Sequence, residues 1–243
     1  MLIRVIVNGA KGKMGLLACE TLHNHPEFEL VAQLGKQDNL AEAILDTNAQ
    51  VVVDLTRADV VYQNCLTIIQ HNAHPVIGTS GLLPEQIKNL TMLCETQRLG
   101  GLIVPNFSLS AVLMMLFSAK AAEYFTEVEI IETHHQQKLD APSGTALKTA
   151  EMIAAVRKKP KNKLNLKELI PGIRGGTHCD INIHSLRLPG ILARQQVIFA
   201  NAGETLSIVD DSINRSCFMP GVILACQKVL ALSTLVYGLE HIL

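Results

Sequence analysis

The stretch LIRVIVNGAKGKMG, residues 2–15, decides the fold of this chain. Residues 2–7 form a short, β-branched apolar run, which predicts a buried strand. A glycine loop follows, and the amphipathic segment after it, to about residue 23, predicts a helix. A strand, a glycine loop and a helix in this order open a βαβ unit. The chain should therefore begin with a nucleotide-binding α/β domain.

The three glycines of this loop are spaced as G-x-x-G-x-x-G, and each has its own role in binding a dinucleotide. Gly9 allows the tight turn, Gly12 lets backbone amides approach a pyrophosphate, and Gly15 lets the helix pack close to the strand. A glycine motif alone is weak evidence, and the alternative is a helix that merely packs tightly. The position between a strand and a helix favours a cofactor site. The predicted contacts are Gly9, Ala10, Lys11, Gly12, Lys13 and Met14.

Short apolar segments then alternate with helical ones, which predicts a doubly wound parallel sheet of Rossmann type. The predicted strands cover residues 28–34, 51–55, 75–78 and 102–104, and the predicted helices cover 58–71 and 84–96. Two loops, 78–81 and 105–108, follow strands at the edge where such a sheet binds its ligand. The predicted contacts to a nicotinamide are Gly78, Thr79, Ser80, Pro105, Asn106 and Phe107.

The end of the second strand bears on the choice of cofactor. The dinucleotide fingerprint places an acidic residue there to bind the ribose hydroxyls, but this chain has Gly35 followed by Lys36. A lysine at this point attracts a 2′-phosphate, and Lys11 and Lys13 add positive charge nearby. The sequence thus predicts NADPH or NADH as cofactor, with NADPH modestly preferred. The alternative is that these are ordinary exposed lysines.

The pattern changes after Pro105, where strands begin to follow one another directly. Helices are predicted over 109–125 and 145–157, and strands over 127–132, 180–188, 195–200 and 205–209. This order indicates a second domain of α+β type with an open mixed sheet. Residues 158–167 read as a basic, exposed loop, and a final helix is predicted over 217–235.

The stretch ETHHQQKLDAPSGTAL, residues 132–147, carries the candidate chemistry. His134, His135 and Lys138 can hold protons within five residues. The Pro-Ser-Gly-Thr turn that follows opens a helix, whose N-terminal amides and dipole favour an anion. The alternative is a solvated polar loop. Proton donors beside an anion cradle suit a small acidic substrate, which predicts substrate contacts at Ser143, Gly144 and Thr145.

Composition excludes several classes of function. The net charge of −1 gives no reason to expect a nucleic acid or an acidic membrane surface as partner. No apolar run is long enough to span a bilayer, and the apolar N-terminal stretch is too short for a signal peptide. A cytoplasmic protein is expected. The six cysteines form no C-x-x-C pair, so we expect thiols and no metal site.

Together these segments resemble the 4-hydroxy-tetrahydrodipicolinate reductase (dihydrodipicolinate reductase) family of the diaminopimelate and lysine pathway. The resemblance covers nearly the whole chain and depends on GAKGKMG, VVVDLTR, VIGTSGL, PNFS and, above all, ETHHQQKLDAPSGTAL. It implies a dinucleotide-binding domain over 1–107, to which 215–243 return. It also implies a substrate-binding and oligomerisation domain over 108–214, in a homotetramer.

The resemblance also implies the reaction and the roles of the residues. Hydride passes from NAD(P)H to a small cyclic dicarboxylate, dihydrodipicolinate, giving tetrahydrodipicolinate. His134 is then a proton donor or acceptor, and Lys138 is a proton donor. His135 contacts the substrate, and the amides of Gly144 and Thr145 hold a carboxylate. Two alternatives remain: a non-catalytic dinucleotide-binding redox sensor, and another dehydrogenase of amino-acid metabolism. Neither requires two histidines, a lysine and an anion cradle together.

Overall fold

The computed structural model describes residues 2–158 and 167–243. The chain divides into two compact units. The first contains residues up to Ser108 together with Arg215–Leu243, and the second is Leu109–Asn214. Most of the basic stretch 158–167 lies outside the described residues, so its prediction as an exposed loop stays a prediction.

The first unit is built on a parallel sheet, as predicted. Its described strands are β1 (Ile3–Asn8), β2 (Phe28–Leu34), β3 (Val51–Asp54), β4 (His74–Ile77), β5 (Gly101–Ile103) and β11 (Leu235–Tyr237). Their order in the sheet is β2-β1-β3-β4-β5-β11, and every pairing is parallel. The chain starts at β1, moves outward to β2, and returns past β1 to β3. The order therefore reverses beside β1, and this is where doubly wound sheets bind ligands at the strands' carboxyl ends.

Helices connect these strands, and one of them is absent from the sequence prediction. The helices are α1 (Lys13–Asn24), α2 (Leu40–Thr47), α3 (Val61–Gln70), α4 (Pro84–Gln97) and, near the C-terminus, α7 (Met219–Lys228). Helix α2 was missed because it is short. Its ends carry clear signals, since the Asn39 side chain caps two first-turn amides and Asn48 ends the helix in a left-handed conformation.

The prediction of one helix over 217–235 is wrong. Residues Arg215–Phe218 form a 3₁₀ turn, α7 ends at Lys228, and Val229–Ala231 form another 3₁₀ turn. The chain then pairs as β11 with β5, from Leu235 opposite Gly101 to Tyr237 opposite Ile103. The apolar run predicts a helix because a buried strand of three residues has no periodicity to distinguish it from one.

The second unit is a mixed sheet covered by two helices. Its described elements are α5 (Leu109–Ala121), β6 (Glu127–His134), α6 (Gly144–Val156), β7 (Gly176–His178), β8 (Ile181–Arg187), β9 (Ala193–Asn201) and β10 (Glu204–Ser212). The strand order is β10-β9-β6-β8-β7, with only β6 and β8 parallel. Helix α5 contacts β9 and β10, α6 contacts β6, β7 and β8, and the helices contact each other.

Boundaries in this unit differ from the prediction by up to four residues, and one strand was not predicted. Helix α5 ends at Ala121, four residues early, and β7 is new. Strand β6 continues to His134 rather than ending at Glu132, so the first histidine of the functional segment stands on a strand. None of the described helices is long and apolar enough to cross a membrane. All six cysteines are free thiols, and four of them are buried.

Candidate functional site

The glycine loop has the backbone geometry that a dinucleotide site requires. Gly9 has φ +90°, and a Cβ on Gly15 would lie 2.1 Å from the Gly9 carbonyl oxygen, so neither position accepts a side chain without a shift of the loop. Gly12 is the N-cap of α1, where no side chain caps the first turn and no acidic residue lies in it. The first-turn amides are thus not covered by a side-chain cap and are not shielded by negative charge, which fits a pyrophosphate.

Two lysines, Lys11 and Lys36, lie at the end of β2, together with a carboxylate that the sequence analysis did not predict there. A Cβ on Gly35 would lie 3.5 Å from the aliphatic stem of Lys11, so that lysine runs beside the strand end. Lys36 is exposed, and its charge helps to lower the pKa of Asp59, after the main effect of the Arg57 hydrogen bond. The Asp38 carboxylate accepts a hydrogen bond from the Gly35 N–H at 2.7 Å. A carboxylate therefore lies at this strand end, three residues later than the fingerprint places it.

A buried polar network joins the carboxyl ends of β1, β3 and β4. Asp54 is fully buried and accepts hydrogen bonds from Asn8 and Asn64, at 3.0 and 2.8 Å. It also accepts from the hydroxyls of Thr56 and Thr79, at 2.7 and 2.6 Å. A buried carboxylate needs such donors to offset its desolvation. The network fixes the loops next to the glycine loop, although its residues other than Thr79 were not among the predicted site residues.

The loops after β4 and β5 meet each other, and some of their side chains are engaged within the protein. A Cβ on Gly78 would lie 2.5 Å from the Phe107 ring, so these two predicted residues are in contact. Phe107 is buried, and the Asn106 side-chain oxygen accepts from the Ser108 amide at 2.9 Å. The Thr79 hydroxyl is committed to the Asp54 network. Backbone groups, together with the exposed residues Ser80 and Pro105, remain to contact a ligand.

In the second unit, Glu132 and His134 form a carboxylate–histidine pair. They are the last two residues of β6 that lie on the helix-covered face of the sheet. The His134 ring places Nδ1 2.5 Å from Glu132 Oε2. Glu132 is fully buried, whereas the His134 side chain keeps 16% of its surface exposed. The carboxylate thus supports the ring from the interior, and the histidine is partly open to solvent.

Arg187 completes the pairing of Glu132. It lies opposite His134 in the β6–β8 register and donates to both carboxylate oxygens, at 3.0 and 2.9 Å. Burial acts to raise the pKa of Glu132, but hydrogen bonds from His134, Arg187 and Ser185 outweigh it and lower that pKa to about 2. Glu132 is therefore an ionised carboxylate at neutral pH and can only accept hydrogen bonds.

Lys138 is held in place as an ammonium group. Its Nζ donates to both oxygens of Asp140, at 2.9 and 2.8 Å, and the side chain is 22% exposed. The hydrogen bond from Lys138 lowers the pKa of Asp140. This pairing fixes the position of the Lys138 side chain, and its role as proton donor stays a prediction.

The segment after Lys138 ends at the N-terminus of α6, where the sequence predicts an anion cradle. Ser143 is the N-cap of α6, and its side chain accepts from the Ala146 amide at 3.2 Å. The helix begins at Gly144, which is exposed, and a Cβ there would have no atom within 4 Å. His135 places a buried Nδ1 that has no hydrogen-bond partner among the described residues. Open space at a helix N-terminus fits an anionic ligand, and an unpaired ring nitrogen in the same segment fits a polar group of a ligand.

Glu132 has a measurable signature in acid. Because its folded pKa lies below the ordinary 4.5, its ionised form stabilises the fold above pH 4.5, and this stabilisation is lost as the pH falls toward 2. The pH-dependent part amounts to about 3 kcal/mol. Urea unfolding should show wild type more stable than Glu132→Gln at pH 6, with the difference shrinking at pH 3. A difference that is constant with pH would contradict the assigned pKa; the exposed Glu151→Gln is the control.

The fold and its two sets of residues define a class of protein: a pyridine-nucleotide-dependent oxidoreductase. One unit has a glycine loop and an uncapped helix N-terminus at the switch point of a parallel sheet. The other has a histidine and a lysine, each paired with a carboxylate, in the segment that leads to the N-terminus of α6. Within residues 2–158 and 167–243, no group of three or more His, Cys, Asp or Glu side chains is arranged to hold a metal ion.

Comparison with known proteins identifies the family. The model of the N-terminal part of dihydrodipicolinate reductase matches residues 3–107, and that of its C-terminal part matches residues 110–243. The chain therefore belongs to the dihydrodipicolinate reductase family, which confirms the resemblance. It is 73% identical to the 4-hydroxy-tetrahydrodipicolinate reductase of Legionella pneumophila (strain Paris) and 49% identical to that of Coxiella burnetii (strain Dugway 5J108-111), over the full length of both chains in each case.

A solved structure supports the same assignment. The dipicolinate-bound dihydrodipicolinate reductase from Paenisporosarcina sp. TG-14 matches with a TM-score of 0.94 and 44% identity, over all of both chains. This agreement confirms the predicted fold class, a Rossmann-like parallel sheet joined to an α+β domain with a mixed sheet.

Proposed function

We propose that this protein reduces 4-hydroxy-tetrahydrodipicolinate, or the dihydrodipicolinate formed from it, to tetrahydrodipicolinate with NAD(P)H, in the diaminopimelate and lysine pathway. The observation that carries the proposal is the segment from β6 to α6. It holds His134 on a buried carboxylate, Lys138 as an ammonium group, and the open N-terminus of a helix. The relatives named above carry this activity in their names, and one of them was solved with dipicolinate, a cyclic dicarboxylate.

The residues divide the work of the reaction. A bound nicotinamide supplies the hydride, and the amides after Gly9 and Gly12 would hold its pyrophosphate. Addition of a hydride to the conjugated ring leaves an electron-rich intermediate that must gain a proton. Lys138 delivers a proton from its ammonium group, and His134 exchanges a proton through Nε2, the nitrogen that Glu132 does not occupy. The cradle at Gly144 and Thr145 orients a substrate carboxylate, and His135 donates to or accepts from the substrate.

Cofactor choice is part of the proposal. Lys36 and the neighbouring Lys11 give the end of β2 a positive charge that favours a 2′-phosphate. A charge-assisted hydrogen bond contributes roughly 1.5–3 kcal/mol, or about 10- to 100-fold in affinity. Asp38 and solvent screening reduce this, so the preference for NADPH is modest.

Lys36→Ala should therefore weaken NADPH binding by up to about tenfold and leave NADH binding unchanged. Fluorescence titration with both cofactors measures the ratio of dissociation constants. Lys88→Ala, which removes an exposed lysine in α4, is the matched control and should change neither value. If the wild-type protein prefers NADH tenfold or more, the role given to Lys36 is wrong, although the reductase assignment is unaffected.

The proposal extends to the oligomeric state of the protein and to its place in the cell. We expect a homotetramer in the cytoplasm, where reduced cofactor is available to biosynthetic enzymes. The β6–β9 and β6–β8 registers place Val209 and Leu186 on the sheet face opposite Glu132, and these side chains are 46% and 39% exposed. Apolar side chains on an open sheet face favour burial by another copy. Sedimentation should give the mass of four chains.

The alternative function, a redox sensor that binds the dinucleotide without turnover, has one clear test. NADPH oxidation is followed with and without the product of the preceding synthase, the cyclic hydroxy-dicarboxylate. A reductase oxidises NADPH only when that compound is present. A sensor binds NADPH and oxidises none in either case, and that result would overturn the proposal.

A further inference from the structure

The buried charge of Glu132 links two parts of the proposed site. Glu132 lies on the helix-covered face of β6 and has no exposed surface. A carboxylate in such a position is costly unless several donors surround it. His134 Nδ1 and the Arg187 guanidinium occupy its two oxygens, and Ser185 on β8 donates a further hydrogen bond. Strong pairing of this kind holds the His134 ring in one orientation.

Arg187 has a second connection, which reaches the lysine. Its Nη2 donates to the Asp140 carbonyl oxygen at 2.6 Å as well as to Glu132. The carboxylate of the same Asp140 holds the Lys138 ammonium. The Leu188 amide also donates to the His134 carbonyl oxygen at 2.9 Å, so the end of β8 supports both the strand end and the segment after it.

We propose that Glu132 and Arg187 are positioning residues for the reduction: Glu132 orients His134, and Arg187 fixes both Glu132 and the segment that carries Lys138. This inference rests on the proposed roles of His134 and Lys138. It assigns functions to two residues that touch neither cofactor nor substrate in the mechanism above. A planar guanidinium suits this task because its fork of donors serves a carboxylate and a carbonyl at the same time.

The proposal fixes which nitrogen of His134 meets the substrate. Because an ionised carboxylate can only accept, the proton of a neutral His134 lies on Nδ1, and Nε2 remains for proton exchange. Without Glu132 the ring loses this preference between its two nitrogens. The ¹⁵N spectrum of histidine-labelled protein reports the protonated nitrogen directly and does not depend on turnover. We expect an Nδ1–H tautomer for His134 in the wild type and its loss in Glu132→Gln.

Kinetics test the same claim on the working enzyme. Glu132→Gln should lower kcat by about 10- to 100-fold, as is typical when a partner that orients a functional histidine is removed. The dissociation constant of NADPH should stay within twofold of wild type. Arg187→Lys keeps the charge but cannot reach both partners, so it should lower kcat at least as much. The matched control is Glu151→Gln, which removes a carboxylate from another histidine, His178, and should leave kcat unchanged.

Double substitutions separate positioning from general damage. In a His134→Gln background, Glu132→Gln should cause little further loss, because the histidine that Glu132 orients is already absent. Arg187→Lys should still lower the rate there, because it also loosens the Lys138 segment. The same loss from Glu132→Gln in both backgrounds, an unchanged His134 tautomer, or a kcat equal to that of the control would overturn the inference.

Glu132→Asp, which keeps a carboxylate, tests the same role even if Glu132→Gln does not fold. Glu132→Asp keeps a negative charge for Arg187 and His134 but moves the carboxylate back by one methylene, so His134 is less well oriented and kcat should fall in a protein that still unfolds cooperatively. Full activity in Glu132→Asp would count against the positioning role. A wild-type protein that oxidises no NADPH with the substrate would refute the proposed function instead, and the tautomer measurement would still decide the role of Glu132.

Discussion

Replacing Lys138 by alanine is expected to lower kcat by about 10²–10⁴-fold, the range for loss of a positioned proton donor. The ammonium is held by Asp140, and the proposed mechanism needs its proton once the ring has accepted a hydride. Cofactor affinity should not change, because Lys138 belongs to the second unit and the glycine loop to the first. Steady-state kinetics and NADPH titration of the same preparation measure both quantities.

His134→Gln should give a loss of similar size, since glutamine fills much of the space but cannot exchange a proton. The control for both variants is Lys148→Ala, which removes an exposed lysine from α6. If Lys138→Ala and His134→Gln both keep a kcat near the wild-type value, the chemistry does not reside in the segment between β6 and α6.

Gly144→Val is expected to raise the KM for the dicarboxylate by about 10- to 100-fold, which corresponds to the loss of one charge-assisted hydrogen bond. The added side chain enters space with no protein atom within 4 Å of its Cβ, so the fold tolerates it while a carboxylate is kept away from the amides. NADPH affinity should stay at the wild-type value. Initial rates over a range of substrate concentrations give KM, and a pyridine dicarboxylate serves as inhibitor for an independent dissociation constant.

Gly176→Val provides the matched control for this substitution. Gly176 stands at the start of β7, and a Cβ there would also meet no atom within 4 Å. The two variants thus add the same side chain to open space in the same unit. Equal losses in both, or equal weakening of NADPH and dicarboxylate in Gly144→Val, would show global damage and would contradict a local anion cradle.

The sequence was sufficient to predict the fold class because the signals that set it are local. The β-branched run of β1, the glycine loop and the amphipathic α1 are adjacent in the chain, and each has its own period or turn chemistry. The prediction failed where local signals were short or ambiguous. Helix α2 spans eight residues, β11 spans three, and only the pairing of β11 with β5 distinguishes it from a continuation of the last helix.

The contrast between local signals and tertiary contacts also explains which candidate site residues could be predicted from the sequence. His134, Lys138 and Gly144 lie close together in the chain, so their residue types identified the segment as a candidate site. Arg187 is 55 residues from Glu132 in the chain, and only the parallel pairing of β6 with β8 brings the two together. Glu132 is the first residue of the motif ETHHQQKLDAPSGTAL, but its burial against three hydrogen-bond donors follows from tertiary structure.

Transfer of deuterium tests the central claim most directly. The enzyme is supplied with NADPH deuterated at both C4 positions and with the product of the preceding synthase, and the mass of the cyclic product is measured. If the protein is the reductase proposed, each product molecule gains one deuterium, and product formation equals NADPH oxidised. Binding of NADPH with no deuterium in any product would contradict the account.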